Sequence, residues 1–327
     1  MKIRRVTRDG THALEIGVAD GWADVRQALD AVPSIADRDK NLWSSDAVAL
    51  LNAPDNVRAR LQDAAHRVAV QPLAESTMAL PFAPLSFRDF MLYEQHAIDA
   101  ARGFVRTYLP RAWPIVKTYE RVLGAPFPLL KPSRLWYEQP IYYLGNHLAF
   151  AGDGDAISIP SYTAQIDYEL ELGFVLKRPL FNASPDEAEA AIGGFVVVND
   201  FSARDVQREE MRSGFGPQKS KHFRNAMSGV LVSADEILPR WRNLKGSVGI
   251  NGALVSEPSS AGAHWSLGEA LAHASRSEQL HPGELFATGT LPGGSGIETG
   301  RMLSDGDVVE IAIDGVGQVR NTICRKG

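Results

Sequence analysis

The chain reads as a strand-rich α+β fold in which a small N-terminal domain, residues 1–80, precedes a larger domain, residues 81–327. Three observations predict this. Asp167-Tyr168-Glu169-Leu170-Glu171-Leu172 alternates acid with apolar side chain, the period of a strand. From Gly152 onward, short apolar runs are separated by turn signals such as Asp153-Gly154, Asn251-Gly252 and Asp305-Gly306. Pro72, Pro81 and Pro84 punctuate residues 71–84, which read as an extended lead-in to the larger domain.

In the N-terminal part, strands are predicted at Lys2–Val6 and His12–Val18 around a turn at Asp9-Gly10, followed by amphipathic helices near Trp22–Val32 and Pro54–Val70. No chemistry is apparent there. Phe87 to Leu109 has helical character with Pro110 as its stop, and Asp89 and His96, seven apart, would share one helix face. The proline-rich stretch Pro110 to Pro132 is expected to wrap the domain without long regular elements, and the aromatic run Leu135–Tyr143 reads as core. Ser184-Pro185-Asp186-Glu187 starts a helix that Gly193-Gly194 closes. Phe195-Val196-Val197-Val198-Asn199-Asp200 is then a buried strand ending in an acid, and an acid in that setting needs a partner. Lys219 and Lys221 lie in a glycine-containing loop that lacks the ending of a nucleotide-binding P-loop. Further strands are predicted at Val230–Val232, Gly246–Ile250, Leu285–Thr290 and Val308–Ile313, with a helix at Leu267–Ser275. His264, His273 and His281 show no metal-ligand spacing with one another and read as structural, and His12 and His66 read as surface or packing residues.

Composition narrows the classes of function. A 327-residue chain with 44% hydrophobic residues can bury a large core. A net charge of -5, with Lys and Arg scattered among acids, does not form a nucleic-acid surface. The single cysteine, Cys324, excludes an internal disulfide framework and a Cys-based metal site, and reads as a strand-packing residue. No apolar segment follows Met1-Lys2-Ile3-Arg4-Arg5 and no apolar run reaches the length of a membrane span. A cytoplasmic protein with small-molecule partners and no membrane association is expected.

The acidic strand poses an electrostatic problem. Next-but-one residues on a strand are about 7 Å apart, and two unit charges at that distance repel by about 2 kcal/mol at an effective dielectric near 20. Water, protonation, basic side chains or a bound cation can each offset this. The apolar run Gly173-Phe174-Val175-Leu176 disfavours a water-facing strand, and a divalent metal is the reading carried forward.

Several separated motifs, in order and spacing, resemble the fumarylacetoacetate hydrolase family over roughly residues 80 to 325: Asp89-x6-His96, Glu169-Leu170-Glu171, Asn199-Asp200-Phe201-Ser202-Ala203-Arg204-Asp205-Val206-Gln207, Lys221, Ala287-Thr288-Gly289-Thr290 with Glu298 beyond it, and Asp305-Gly306-Asp307-Val308-Val309-Glu310-Ile311. The resemblance implies a mixed β-sheet roll with few helices and a homodimer. It implies metal ligands Asp89, Glu169, Glu171 and Asp200, an all-oxygen set that suits Mg²⁺ first, with Ca²⁺ or Mn²⁺ as alternatives. The implied reaction is metal-assisted hydrolytic cleavage of a carbon–carbon bond in a 1,3-dioxo acid of acylpyruvate or fumarylacetoacetate type. In it His96 takes a proton from water, Glu298 holds the imidazole, and Lys221, Arg204 and Gln207 donate hydrogen bonds to the oxyanion or a substrate carboxylate. Tyr143, Gly289 and Thr290 are implied substrate contacts. The alternative within the family is decarboxylation, hydration or isomerisation of a related 2-oxo acid. The chain also departs from the pattern: Met91 stands where fumarylacetoacetate hydrolase itself has a tyrosine, and no arginine matches the one that follows its histidine. The expected substrate is therefore not fumarylacetoacetate. Asp99 is expected to stand in for the glutamate that other members place beside the histidine.

Overall fold

The acidic strand lies in the middle of the larger of two main sheets, and that position buries its carboxylates. The structure is a computed structural model describing residues 1–8, 10–68 and 77–325. Glu169–Leu176 runs antiparallel to Ile192–Asn199 on one side and to Leu285–Ser295 on the other, and all eight of its residues are buried. Leu170, Leu172, Phe174 and Leu176 enter one hydrophobic core, whereas Val175, on the face shared with Glu169 and Glu171, belongs to a second.

Among the described residues, the central sheet has twelve strands. Its main path runs Gly21–Asp24, Thr11–Val18, Lys2–Arg8, Val230–Ser233, Ile192–Asn199, Glu169–Leu176, Leu285–Ser295, Phe87–Phe90 and Tyr142–Gly145. It is mixed, because Phe87–Phe90 runs parallel to Leu285–Ser295. A five-stranded sheet of Ala253–Ser256, Gly246–Ile250, Val308–Ile313, Gly317–Cys324 and Ala156–Ser158 packs beside it. Its hairpin turns at Asn251-Gly252, where both residues have positive φ, as a two-residue turn of this twist requires.

The central sheet crosses the expected domain border: Lys2–Arg8 pairs with both Thr11–Val18 and Val230–Ser233. One core joins Ile3, Leu14, Leu29 and Leu61 to Val196, Val198, Leu231 and Leu285. Part of the proline-rich lead-in, including Pro72, lies outside the described residues, as do Val70 and Asp9; Thr77–Ala79 pairs with Lys2–Arg8.

The structure corrects several local expectations. Asp89 and His96 do not share a helix. Phe87–Phe90 is a strand whose residues are all buried between two neighbours, and the helix begins only at Glu94 and runs to Tyr108. Pairing on both edges outweighs the helical propensity of a four-residue segment. Trp22 belongs to the strand Gly21–Asp24, and Asp24 caps the helix Val25–Asp30 by accepting from Gln27 N. The helix expected at Pro54–Val70 is Asp55–Ala65. Helices are also more frequent than expected: Trp113–Leu123 forms one inside the proline-rich stretch. Pro114 sits in its first turn, where no backbone donor is needed, and Gly124 at φ 63° ends it.

Candidate active site

The neighbouring strands deliver acids to one end of Glu169–Leu176. Asp89 lies opposite Ala287 and Tyr143, Glu171 opposite Val198 and Thr290, and Asp200 follows directly on the strand ending at Asn199. Gly289 permits this convergence. Its φ is +81°, and a Cβ there would stand 2.3 Å from the carbonyl oxygen of Phe90, so only glycine lets the strand carrying Asp89 approach so closely.

Asp89, Glu171 and Asp200 are buried, and one oxygen from each lies within 4.8 Å of the others. Asp89 Oδ1 and Glu171 Oε2 have no hydrogen-bond partner. Burial pushes all three carboxyls above their ordinary range, and at Asp89 and Glu171 the neighbouring acids push in the same direction. Converging buried carboxylates with unfilled acceptors fit a hard divalent cation, and the all-oxygen set argues against Zn²⁺.

The structure does not bring Glu169 into this group. Its Oε1 accepts from Arg204 Nη2 at 2.6 Å and its Oε2 from Lys221 Nζ. Burial alone would raise its pKa, but the charges of Arg204 and Lys221 hold it well below the usual carboxylate range. Lys221 Nζ also donates to Asp200 Oδ2 at 2.6 Å, as does the Tyr143 hydroxyl at 2.6 Å. Tyr143 therefore meets an acid of the cluster while lining the cavity. Thr290 donates to Glu171 Oε1 at 3.3 Å. Gln207 lines the same cavity, and its Oε1 accepts from Arg204 Nη1 at 2.9 Å.

Asp167 holds several of these parts together. Its Oδ2 accepts from Arg204 Nε at 2.7 Å and Ile297 N at 2.9 Å, and its Oδ1 from Gly296 N at 2.7 Å and Tyr168 N at 2.8 Å. It thereby ties Arg204 to the turn that carries Glu298. Asp167→Ala leaves Arg204 short of a buried counter-charge and strips three backbone donors of their acceptor. A loss of about 3–5 kcal/mol of stability is expected, measured by urea unfolding.

His96 stands in the first turn of the Glu94–Tyr108 helix, with Nδ1 3.1 Å from Glu298 Oε2. The approach is an ion-pair contact without hydrogen-bond alignment. Glu298 is itself fixed, its Oε2 accepting from Ser295 N at 3.1 Å and Ser295 Oγ at 2.6 Å and its Oε1 from Gly293 N at 3.1 Å. Burial is the largest influence on the imidazole and depresses its pKa, but Glu298 and the charge of Glu169 together more than offset it, leaving His96 above its ordinary value. The expected Asp99 partnership does not form. Asp99 accepts from Arg102 at 2.6 Å and Gln95 at 2.7 Å, because at i+3 on the helix it is drawn to those neighbours.

Four positioning residues escaped the sequence reading. A Cβ on Gly103 would meet the Ile297 carbonyl oxygen at 2.0 Å, so this mid-helix glycine lets the helix of His96 sit directly on the turn of Glu298. Arg106 Nη2 donates to the Glu298 carbonyl at 2.6 Å across the same contact. Asn225, with its amide nitrogen turned inward, donates to Asp200 Oδ1 at 2.8 Å. Glu210 accepts from the backbone of Gln218, Lys219 and Ser220 and so anchors the loop of Lys221. The isolated glycine within a helical pattern was the one available signal for these.

A family model described as fumarylacetoacetate (FAA) hydrolase C-terminal matches residues 130–324. The oxaloacetate tautomerase YisK of Bacillus subtilis (strain 168) is 32% identical over 188 residues, covering 57% of this chain and 62% of that protein. The chain thus matches less than two thirds of that relative's length. The mitochondrial oxaloacetate tautomerase FAHD1 of Pongo abelii is 29% identical over 182 residues, 56% of this chain and 80% of the relative. Among solved structures, the fumarylacetoacetate hydrolase of Exiguobacterium antarcticum superposes over 100% of both chains with a TM-score of 0.70 at 21% identity. The maleylpyruvate hydrolase of Sphingobium sp. SYK-6, solved with manganese(II) and pyruvate, does so over 100% of both chains with a TM-score of 0.68 at 18% identity. At such identities these likenesses establish the fold. Among the described residues, no helix is long and apolar enough to cross a membrane.

Proposed function

Because this chain belongs to the fumarylacetoacetate hydrolase family, we propose that it is a cation-dependent hydrolase that cleaves a carbon–carbon bond in a 1,3-dioxo acid of acylpyruvate type. The observation that carries this reading is the buried His96–Glu298 pair, 3.1 Å apart, with His96 opening on the same cavity as Asp89 and Glu171. Such a cleavage needs a base to activate water at one carbonyl and positive charge to receive the electrons of the breaking bond at the other.

A divalent cation held by Asp89, Glu171 and Asp200 would supply that Lewis acidity when bound. His96 takes the proton of water at Nε2, since Nδ1 faces Glu298, and the Glu298 carboxylate stabilises the charged ring. Lys221 uses two of its ammonium protons on Glu169 and Asp200 and keeps a third for an oxyanion. Gln207 presents its amide nitrogen to a substrate carboxylate while its oxygen accepts from Arg204. Glu169, neutralised by Arg204 and Lys221, keeps both cations in register beside the cluster.

The test is a panel of 2,4-dioxo acids incubated with the Mg²⁺- or Mn²⁺-loaded protein and resolved by chromatography. Two acids per turnover are expected, and failure to cleave any member overturns the reading. A second reading, keto–enol tautomerisation of a 2-oxo acid, is favoured by the names of the relatives at 32% and 29% identity. It uses the same base and cation without attack by water. Proton NMR separates the two, because tautomerisation or isomerisation leaves the carbon skeleton whole and decarboxylation releases CO₂.

A further inference from the structure

We infer that the outer part of the active-site cavity is a subsite for an apolar acyl arm, so that the dioxo acid cleaved here carries a hydrophobic tail in place of a second carboxylate. This rests on the hydrolytic reading above. The cavity that holds His96, Glu169 and Glu171 has a volume of about 1020 Å³. Ordinary small-ligand pockets span about 300–1,000 Å³, so this cavity stands at the top of that range and has room beyond a dioxo-acid head.

One wall is a face of the Glu94–Tyr108 helix. Ala97, Ala100, Ala101 and Phe104 all line the cavity at three- and four-residue spacings, so the apolar stripe begins next to His96. The three alanines project little into the space. Leu129 and Phe215, from two other segments, line the same cavity while 86% and 85% exposed. Large apolar surface facing a ligand cavity is surface that a hydrophobic ligand would take out of water.

The charges in the lining point the same way. Of the described Lys and Arg residues that line it, Arg204 and Lys221 are buried, and both are engaged by Asp167, Glu169 and Asp200, while His96 is paired with Glu298. Lys131 is exposed, and an exposed pair with a carboxylate is weak. A carboxylate at the end of the tail would be desolvated against alanine and phenylalanine without a buried counter-charge. In the reaction, water adds to the acyl carbonyl and the bond from that carbon to the methylene breaks. The electron pair goes to the pyruvate half and a proton returns to the methylene carbon, giving one apolar carboxylic acid and pyruvate.

The test uses the Mg²⁺-loaded full chain and acylpyruvates whose acyl group lengthens from acetyl to decanoyl, with one long-chain analogue carboxylated at its end. A rise in kcat/KM of about threefold to fourfold per methylene is expected until the subsite is full. The carboxylated analogue is expected to be poorer than its apolar counterpart by on the order of 100-fold. Ala101→Trp is expected to cut the long-to-short preference by at least roughly tenfold, a ratio that partial misfolding leaves unaltered. A flat or falling chain-length profile, or a preference for the carboxylated analogue, overturns the subsite while hydrolysis stands. If no dioxo acid is cleaved, the hydrolytic reading fails, and calorimetry with N-alkyl oxamates still tests the subsite. Affinity must climb with alkyl length, and a flat series overturns it.

Discussion

Replacing His96 with alanine is expected to lower kcat by roughly 10²- to 10⁴-fold while leaving divalent-cation affinity within about threefold of the parent. The two readouts separate a base from a structural residue. His96 is not among the three acids that cluster, and its side chain meets Glu298 instead. A variant that loses cation binding together with turnover would mean that His96 supports the cluster and does not act on water. The pH profile sharpens the test. A base must be neutral to accept a proton, and although burial lowers it, Glu298 together with the charge of Glu169 holds His96 above its ordinary pKa of 6.5. The acid limb of kcat/KM is therefore expected above pH 6.5. Glu298→Gln removes the charge that raises the imidazole, so the limb should move to lower pH as the rate falls; a limb that stays in place assigns it to another group.

Glu171→Gln is expected to abolish the stabilisation that a divalent cation confers, and to make the cation-free protein more stable. Both effects follow from one geometry. The carboxylate oxygens of Asp89, Glu171 and Asp200 lie within 4.8 Å of one another, a separation at which two unit charges repel by about 3 kcal/mol at an effective dielectric of 20. Removing one charge relieves the repulsion and removes a ligand. In the parent protein, Mg²⁺ at a hundred times its dissociation constant should add about 2.7 kcal/mol, read as a rise in Tm that EDTA reverses. Persistence of that rise in Glu171→Gln would place the ion elsewhere. A fall in cation-free Tm would show that the cluster is held by hydrogen bonds the charge argument leaves out.

Much of the local structure was legible in the sequence because its causes are local. Ser184 caps its helix through the expected box with Glu187, and Asn251-Gly252 turns the hairpin between Gly246–Ile250 and Ala253–Ser256. The run ending in Asn199-Asp200 is a buried strand that puts Asp200 at its end. The spacing of Asp89 and His96 was also legible, but its secondary structure was not. Phe87–Phe90 is a strand because Leu285–Ser295 and Tyr142–Gly145 pair with its two edges, and neither lies nearby in sequence.

The acidic strand shows the division most sharply. Its period of two is a property of consecutive residues, and it was enough to place Glu169 and Glu171 on one face and to require that something offset their charge. Which offset serves which acid depends on what the fold brings opposite each one. Asp167 is met by Arg204 and by the backbone of Gly296 and Ile297, Glu169 by Arg204 and Lys221, and Glu171 by Asp89 and Asp200. Alternation specifies a face but not its occupants. Those come from distant strands, from the Arg204–Arg212 helix and from the segments that carry Lys221 and Gly296, brought together by packing of the two cores, so basic side chains satisfy the first two acids and the third is left in an acidic group that fits a cation.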